Sequence, residues 1–258
     1  MNDQPRTSIP SLPEALGATK GVVCFVGAGG KKTTMYALAR AHSGRVLLSS
    51  TSHMYRYRND EVDKIVMLED SYAGLPELRD HRVVAVATTT ETKNRVGGLT
   101  ADRIQTIYRE GGFDVCFIKS DGARSRWIKT PGEHEPLISS FASTVIPVVS
   151  AQVLDRQLND DIAHRPERIA QLLGMQLHDC ITDSHLIDLL SNPNGALKNI
   201  GDAEVIPLIN MVDNQALLLR AREIARAALQ RSTRISRIVL GSMKDARIVE
   251  VVTRASHS

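Results

Sequence analysis

The sequence predicts an α/β chain, a three-layer sandwich with helices on both faces of a mainly parallel sheet. Three observations point there. Short apolar runs alternate with helix-forming stretches along most of the chain, a glycine-rich loop follows the first apolar run, and a helix-forming segment follows that loop. Residues 1–20 are polar and hold three prolines, so they read as a lead before a single domain over 21–258, with a short opening helix at 12–16. Residues 22–26 form a continuous apolar run suited to a strand buried on both faces. Residues 33–42 read as a helix stopped by Gly44. Strands are expected at 46–48, 65–67 and 83–87, then a helix at 101–109 before Gly111 and Gly112, then a strand at 115–118 ending in Asp121-Gly122. The run 145–149 contains Pro147, which places it at a sheet edge or ends it early. Helices follow at 166–173, opened by a first-turn proline, and at 182–190. A strand at 205–209, a helix at 215–230 rich in Ala, Leu and Arg, and strands at 238–240 and 248–252 complete the chain.

Composition narrows the function classes. At 258 residues, 42% hydrophobic and 24% charged, the chain can bury a core without staples. A net charge of +3 permits a basic cleft but does not suggest a nucleic-acid-binding protein. Cys24, Cys116 and Cys180 lie far apart and form no CxxC pair, which fits a reducing compartment. No stretch reaches the roughly 20 apolar residues of a membrane span, and the N-terminus lacks the apolar core of a signal peptide. A cytoplasmic protein with no membrane partner is expected.

The chemistry concentrates in Gly27-Ala28-Gly29-Gly30-Lys31-Lys32-Thr33-Thr34. Glycines let backbone N–H groups converge on an anion, the helix start adds unpaired amides, a lysine adds a mobile charge, and a hydroxyl can bind Mg²⁺. This predicts a P-loop NTPase-like fold that binds ATP or GTP with Mg²⁺. The spacing G-x-x-G-K is shorter than the usual loop and closer to that of Mur-type amide ligases. Two registers are open. With Lys31 as the phosphate lysine, Lys32 fills the usual hydroxyl position and Thr33 acts from one residue later; with Lys32, the pair Lys32-Thr33 restores the usual order. Thr33 is the expected metal ligand in both.

Further signals follow. Asp121, at the end of a strand expected beside the loop strand, is a candidate for holding Mg²⁺ or its water. The proline-bounded cluster 129–136 offers His134 or Glu135 as base or ligand, and His164-Arg165-Pro166-Glu167 is either a helix start or a phosphate-facing arginine. Asn210 and Asp213 have the spacing with which GTPases read guanine, though Met211 stands in place of the usual lysine; the same residues can also cap the helix at 215.

Residues 26–36, Ser49-Ser50-Thr51-Ser52-His53, Ser120-Asp121-Gly122-Ala123-Arg124, the cluster 129–136 and His164-Arg165-Pro166-Glu167, taken in that order, resemble the YqeC family over roughly residues 20–240. The resemblance implies a P-loop fold and a role as accessory protein in maturing a selenium-dependent molybdenum hydroxylase, with that enzyme or its cofactor as partner. The chain departs from the family pattern at Lys32, where a hydroxyl residue is usual, and at Lys119, where a glutamate is usual. Three functions are compatible with these residues: an NTP-hydrolysing maturation factor, a kinase or ligase acting on a cofactor precursor, and a module that holds a nucleotide or nucleotide-linked cofactor without turnover.

Overall fold

A computed structural model describes residues 10–68 and 78–254. Its centre is a ten-stranded sheet in the order β14-β13-β12-β9-β1-β7-β2-β5-β4, with β11 also on β9. In chain order the strands of this sheet are β1 (Gly21–Gly27), β2 (Val46–Ser50), β4 (Lys64–Leu68), β5 (Val83–Thr88), β7 (Val115–Lys119), β9 (Thr144–Ser150), β11 (Glu204–Val205), β12 (Leu208–Asn210), β13 (Arg237–Ser242) and β14 (Arg247–Thr253). Every pairing is parallel except that of β13 with β14. Two small ladders, β3 (Met54–Tyr55) with β6 (Arg95–Val96) and β8 (Ile128–Lys129) with β10 (Ala163–His164), stand outside it.

The helices are α1 (Leu12–Ala15), α2 (Lys31–Ala41), α3 (Ala101–Glu110), α4 (Pro166–Leu173), α5 (Asp183–Ser191) and α6 (Gln215–Arg231). Alternate residues of β1 feed opposite faces, as the two-residue period requires. Val22, Cys24 and Val26 join the layer containing α3, α5 and α6, whereas Val23 and Phe25 join the layer of α1 and α2. The chain is thus an α/β three-layer sandwich with a mainly parallel sheet. Leu12, Ala15, Leu16 and Ala18 are buried in the α1–α2 layer. Among the described residues, no helix is long and apolar enough to cross a membrane.

Three expectations need correction. Strand β9, expected at an edge or to end early because of Pro147, lies between β1 and β12 and runs to Ser150. Ser143 and Val145 accept hydrogen bonds from Glu204 and Ile206, while Val148 accepts from Ala28 on the opposite side. By that alternation Pro147 faces the β11–β12 side. There the neighbouring chain keeps one register on both sides, Val205 opposite Val145 and Leu208 opposite Val148, and the ladder breaks between them at Ile206 and Pro207, where Pro147 offers no N–H. The same break divides the expected strand at 205–209 into β11 and β12. Helix α2 also starts two residues earlier than expected, at Lys31.

The chain crosses from β7 to β9 over the top of β1. A change of winding direction like this opens a crevice at the carboxyl ends of the strands, and the glycine loop sits in it.

Candidate functional site

The loop after β1 is pressed against the end of β9. A Cβ on Gly27 would lie 2.4 Å from the Val148 carbonyl oxygen, and one on Gly29 would lie 2.6 Å from the Ser150 nitrogen; both glycines have positive φ. Only glycine accommodates that approach. Several bonds hold the loop. Ala28 N–H donates to Val148 O (2.9 Å), Gly29 N–H donates to Arg126 O (2.9 Å), and the Asn210 amide donates to Gly29 O (2.7 Å). The amides of Gly30, Lys31, Lys32 and Thr33 meet no acceptor among the described residues. Four open N–H groups at the start of an eleven-residue helix make an anion cradle.

Behind the loop lies a buried charge cluster. Asp121, 1% exposed, places Oδ1 2.8 Å from Lys31 Nζ, and its Oδ2 is 3.0 Å from both Lys129 Nζ and the Gly27 nitrogen. Burial alone would raise the Asp121 pKa, but the Lys31 and Lys129 ammoniums prevail and hold it below the ordinary carboxylate value. Lys129 also pairs with Glu135 at 2.8 Å, and Arg165 reaches the same carboxylate at 3.3 Å.

In front of the loop is a cavity of about 640 Å³. Among the described residues its lining carries Lys31, Lys32, Arg95, Lys119, Arg124, Arg126 and Arg165 against one carboxylate, Glu135. Seven basic side chains against one carboxylate give this cavity a charge balance that suits an anion. Lys119 extends from the end of β7, beside Phe25 of β1, to Ser52 Oγ (2.8 Å). Burial and the nearby Lys31 push its pKa down to about 7. Lys32 turns to the Tyr55 carbonyl (3.1 Å) and that of Arg56, and burial, with Arg58, lowers it to about 8. His164 is depressed to about 4 by burial, then by Lys129 and Arg165, so its imidazole is neutral at pH 7. Arg124, Ser125, Arg165 and Met211, all lining the cavity, adopt positive φ without being glycine. Such strain persists where the surroundings impose it, often at ligand sites.

The structure gathers some expected residues and separates others. Gly29, Gly30, Lys31, Lys32 and Thr33 line the cavity, while Thr34 is fully buried and bonds back to Gly30 O (3.0 Å). Lys31 directly follows the loop's last glycine and opens the helix, leaving Lys32 in the second helical position. His134 is exposed and outside the lining. Asn210 spends both ends of its amide on the scaffold, donating to Gly29 O and accepting from Met243 N–H (2.9 Å). Asp213 accepts from Gln152 and Ser242, each at 2.8 Å, and neither Asn210 nor Asp213 lines the cavity. Arg95, Arg126 and Trp127 escaped sequence reading; nothing local marks them, since β3–β6 pairing and the turn after Asp121 bring them in.

A P-loop fold implies a magnesium ion, and Thr33 and Asp121 were its expected ligands. Thr33 lines the cavity. Asp121 does not fit the role in this arrangement, because it lies outside the lining and each of its oxygens already faces an ammonium. Among the described residues no cluster of three His, Cys, Asp or Glu side chains could hold a metal.

Comparison with known proteins gives the lineage. The chain is 29% identical over 201 residues to the protein named Uncharacterized protein YqeC in Escherichia coli (strain K12), an alignment covering 72% of this chain and 74% of that one. The model of the YqeC protein family matches residues 23–167, a span holding most of β1, the glycine loop, Asp121 and Lys129. That span is more than half of the sequence, and on this ground the chain belongs to the YqeC family.

Proposed function

We propose that this chain binds a nucleoside triphosphate, ATP or GTP, with its phosphates against the 27–34 loop, and that it acts as an accessory protein in maturing a selenium-dependent molybdenum hydroxylase. The carrying observation is the meeting of seven basic side chains and the open amides of residues 30–33 on one cavity. The cavity size suits a nucleotide. Tyr55, stacked with the Arg95 guanidinium at 4.9 Å, and Trp127 both line it and offer flat surfaces for a base. The hydroxylase role rests on family membership. Buried free Cys24 and Cys116 fit a cytoplasmic setting.

Turnover is the finer point. An NTPase or a phosphoryl-transferring kinase needs a metal or an equivalent charge at the phosphates. The neutralised Asp121 favours a second reading, in which the nucleotide is held without being hydrolysed.

Trp127 is the only tryptophan of the chain, so its fluorescence can report binding. Titration with ATP, GTP and CTP is expected to give at least one Kd below about 100 µM, equivalent to about 5.5 kcal/mol. Phosphate release in the same mixtures separates turnover from holding. If none of the three nucleotides binds at millimolar concentration, the nucleotide reading is lost.

A further inference from the structure

Resting on the nucleotide reading, one question is what neutralises the bound phosphates. The carboxylate that would ordinarily fix a divalent cation, Asp121, is sealed behind Lys31 and paired on both oxygens. The position aligned with Phe25 at the end of the neighbouring strand carries an ammonium instead, Lys119, whose side chain reaches the cavity wall at Ser52. Among the described residues no acidic group contacts the Lys119 nitrogen; its partners are the Ser52 hydroxyl and the His53 carbonyl at 3.5 Å. Lys31, by contrast, has its charge spent on Asp121, and Lys129 on Asp121 and Glu135. Lys119 is therefore a cavity cation whose charge is not met by a carboxylate, placed on the β2–β7 side of the loop. A second positive charge on a metal there would meet repulsion from it.

We propose that the Lys119 ammonium takes the charge-neutralising place of a divalent cation, so that this chain binds its phosphorylated ligand as the free, metal-unbound anion. The ligand class is accordingly a nucleoside triphosphate or other polyphosphate ester without magnesium.

The test uses the full chain and Trp127 fluorescence, with ATP and inorganic tripolyphosphate as probes, each in excess EDTA and in excess MgCl₂. Wild-type binding is expected to be about tenfold or more tighter in EDTA than in MgCl₂, where the metal sequesters the free polyphosphate. Lys119→Met is expected to weaken binding in EDTA by about tenfold or more, as for loss of one charged hydrogen bond. Lys119→Glu is expected to lose binding in EDTA and regain it in MgCl₂, because a carboxylate at that position can hold the metal. Wild-type binding as tight or tighter in MgCl₂ than in EDTA would overturn the proposal while leaving the nucleotide reading intact. Failure of both probes in both conditions would overturn the nucleotide reading and this proposal with it. Thermal melts check that the variants fold; should they not, the wild-type comparison decides alone.

Discussion

At the scale of single residues, the site depends on charges that are expensive to uncover. Asp121 stands between Lys31 and Lys129, all three at most 5% exposed. Asp121→Asn keeps the shape and still accepts from Gly27 N–H, but it leaves two buried ammoniums without their shared counter-charge. Breaking a buried pair this way costs roughly 3–5 kcal/mol. Urea unfolding is expected to show a loss in that range, and a loss under about 1 kcal/mol would mean that the cluster is hydrated and weak. His164 gives a pH signature. Its folded pKa, about 4, lies below the ordinary 6.5, through burial and the nearby Lys129 and Arg165. Between those values the unfolded chain takes up the proton and the folded chain does not. Its contribution to stability is thus complete above about pH 6.5 and is lost as the pH falls towards 4. The side chain is partly open to solvent, so the effect is modest. His164→Gln is expected to flatten the stability curve between pH 4.5 and 6.5 and leave pH 8 unchanged; an unaltered slope would contradict the shift.

Among the elements, the loop between β1 and α2 acts as a part clamped by its neighbours. Ser150 and Val148 press on it from β9, the Arg126 carbonyl holds one amide, and Asn210 at the end of β12 ties Gly29 O to Met243 N–H. Gly29→Ala adds a Cβ 2.6 Å from Ser150 N at a φ of +93°, and is expected to cost about 1–3 kcal/mol of stability together with most phosphate binding. Asn210→Ala removes both tethers and leaves two buried backbone groups unpaired, about 1–3 kcal/mol each. Because Asn210 lies off the cavity, affinity is expected to fall equally for ATP, GTP, CTP and tripolyphosphate. A loss confined to GTP would restore guanine reading to Asn210 and Asp213.

For the molecule as a whole, what was legible follows from what is local. Continuous apolar runs such as 22–26 and 115–118 became central strands, because burial on both faces writes itself into every residue. The glycine loop was legible for the same reason: its φ angles are a property of its own residues. Pro147 misled because the interior ladder tolerates one missing donor: it breaks at Ile206 and Pro207, some sixty residues later in the chain, and resumes in the same register at Leu208. Arg95 and Arg126 were silent because an arginine in a loop looks the same whether it faces solvent or a ligand. The buried partnership of Lys129 with Asp121 was equally hidden, since only β8 and the crossing over β1 bring them to 3.0 Å. That long-range assembly has an energetic consequence. The cavity draws Lys119 from β7, Trp127 from the segment preceding β8, Arg165 from the start of α4 and Met211 from the end of β12, on both sides of β1. A ligand spanning them ties both halves of the sheet together, so unfolding either half releases it. At a hundred times Kd, a ligand of the native state adds about 2.7 kcal/mol. For a chain of this size each kcal/mol moves Tm by about 2–4 °C, so ATP or tripolyphosphate is expected to raise Tm by about 5–11 °C in one unbroken transition. The urea m-value should stay constant, because the surface exposed on unfolding is the same. A shift below about 1 °C at ligand concentrations where Trp127 fluorescence is saturated would show instead that the cleft opens independently of the sheet beneath it.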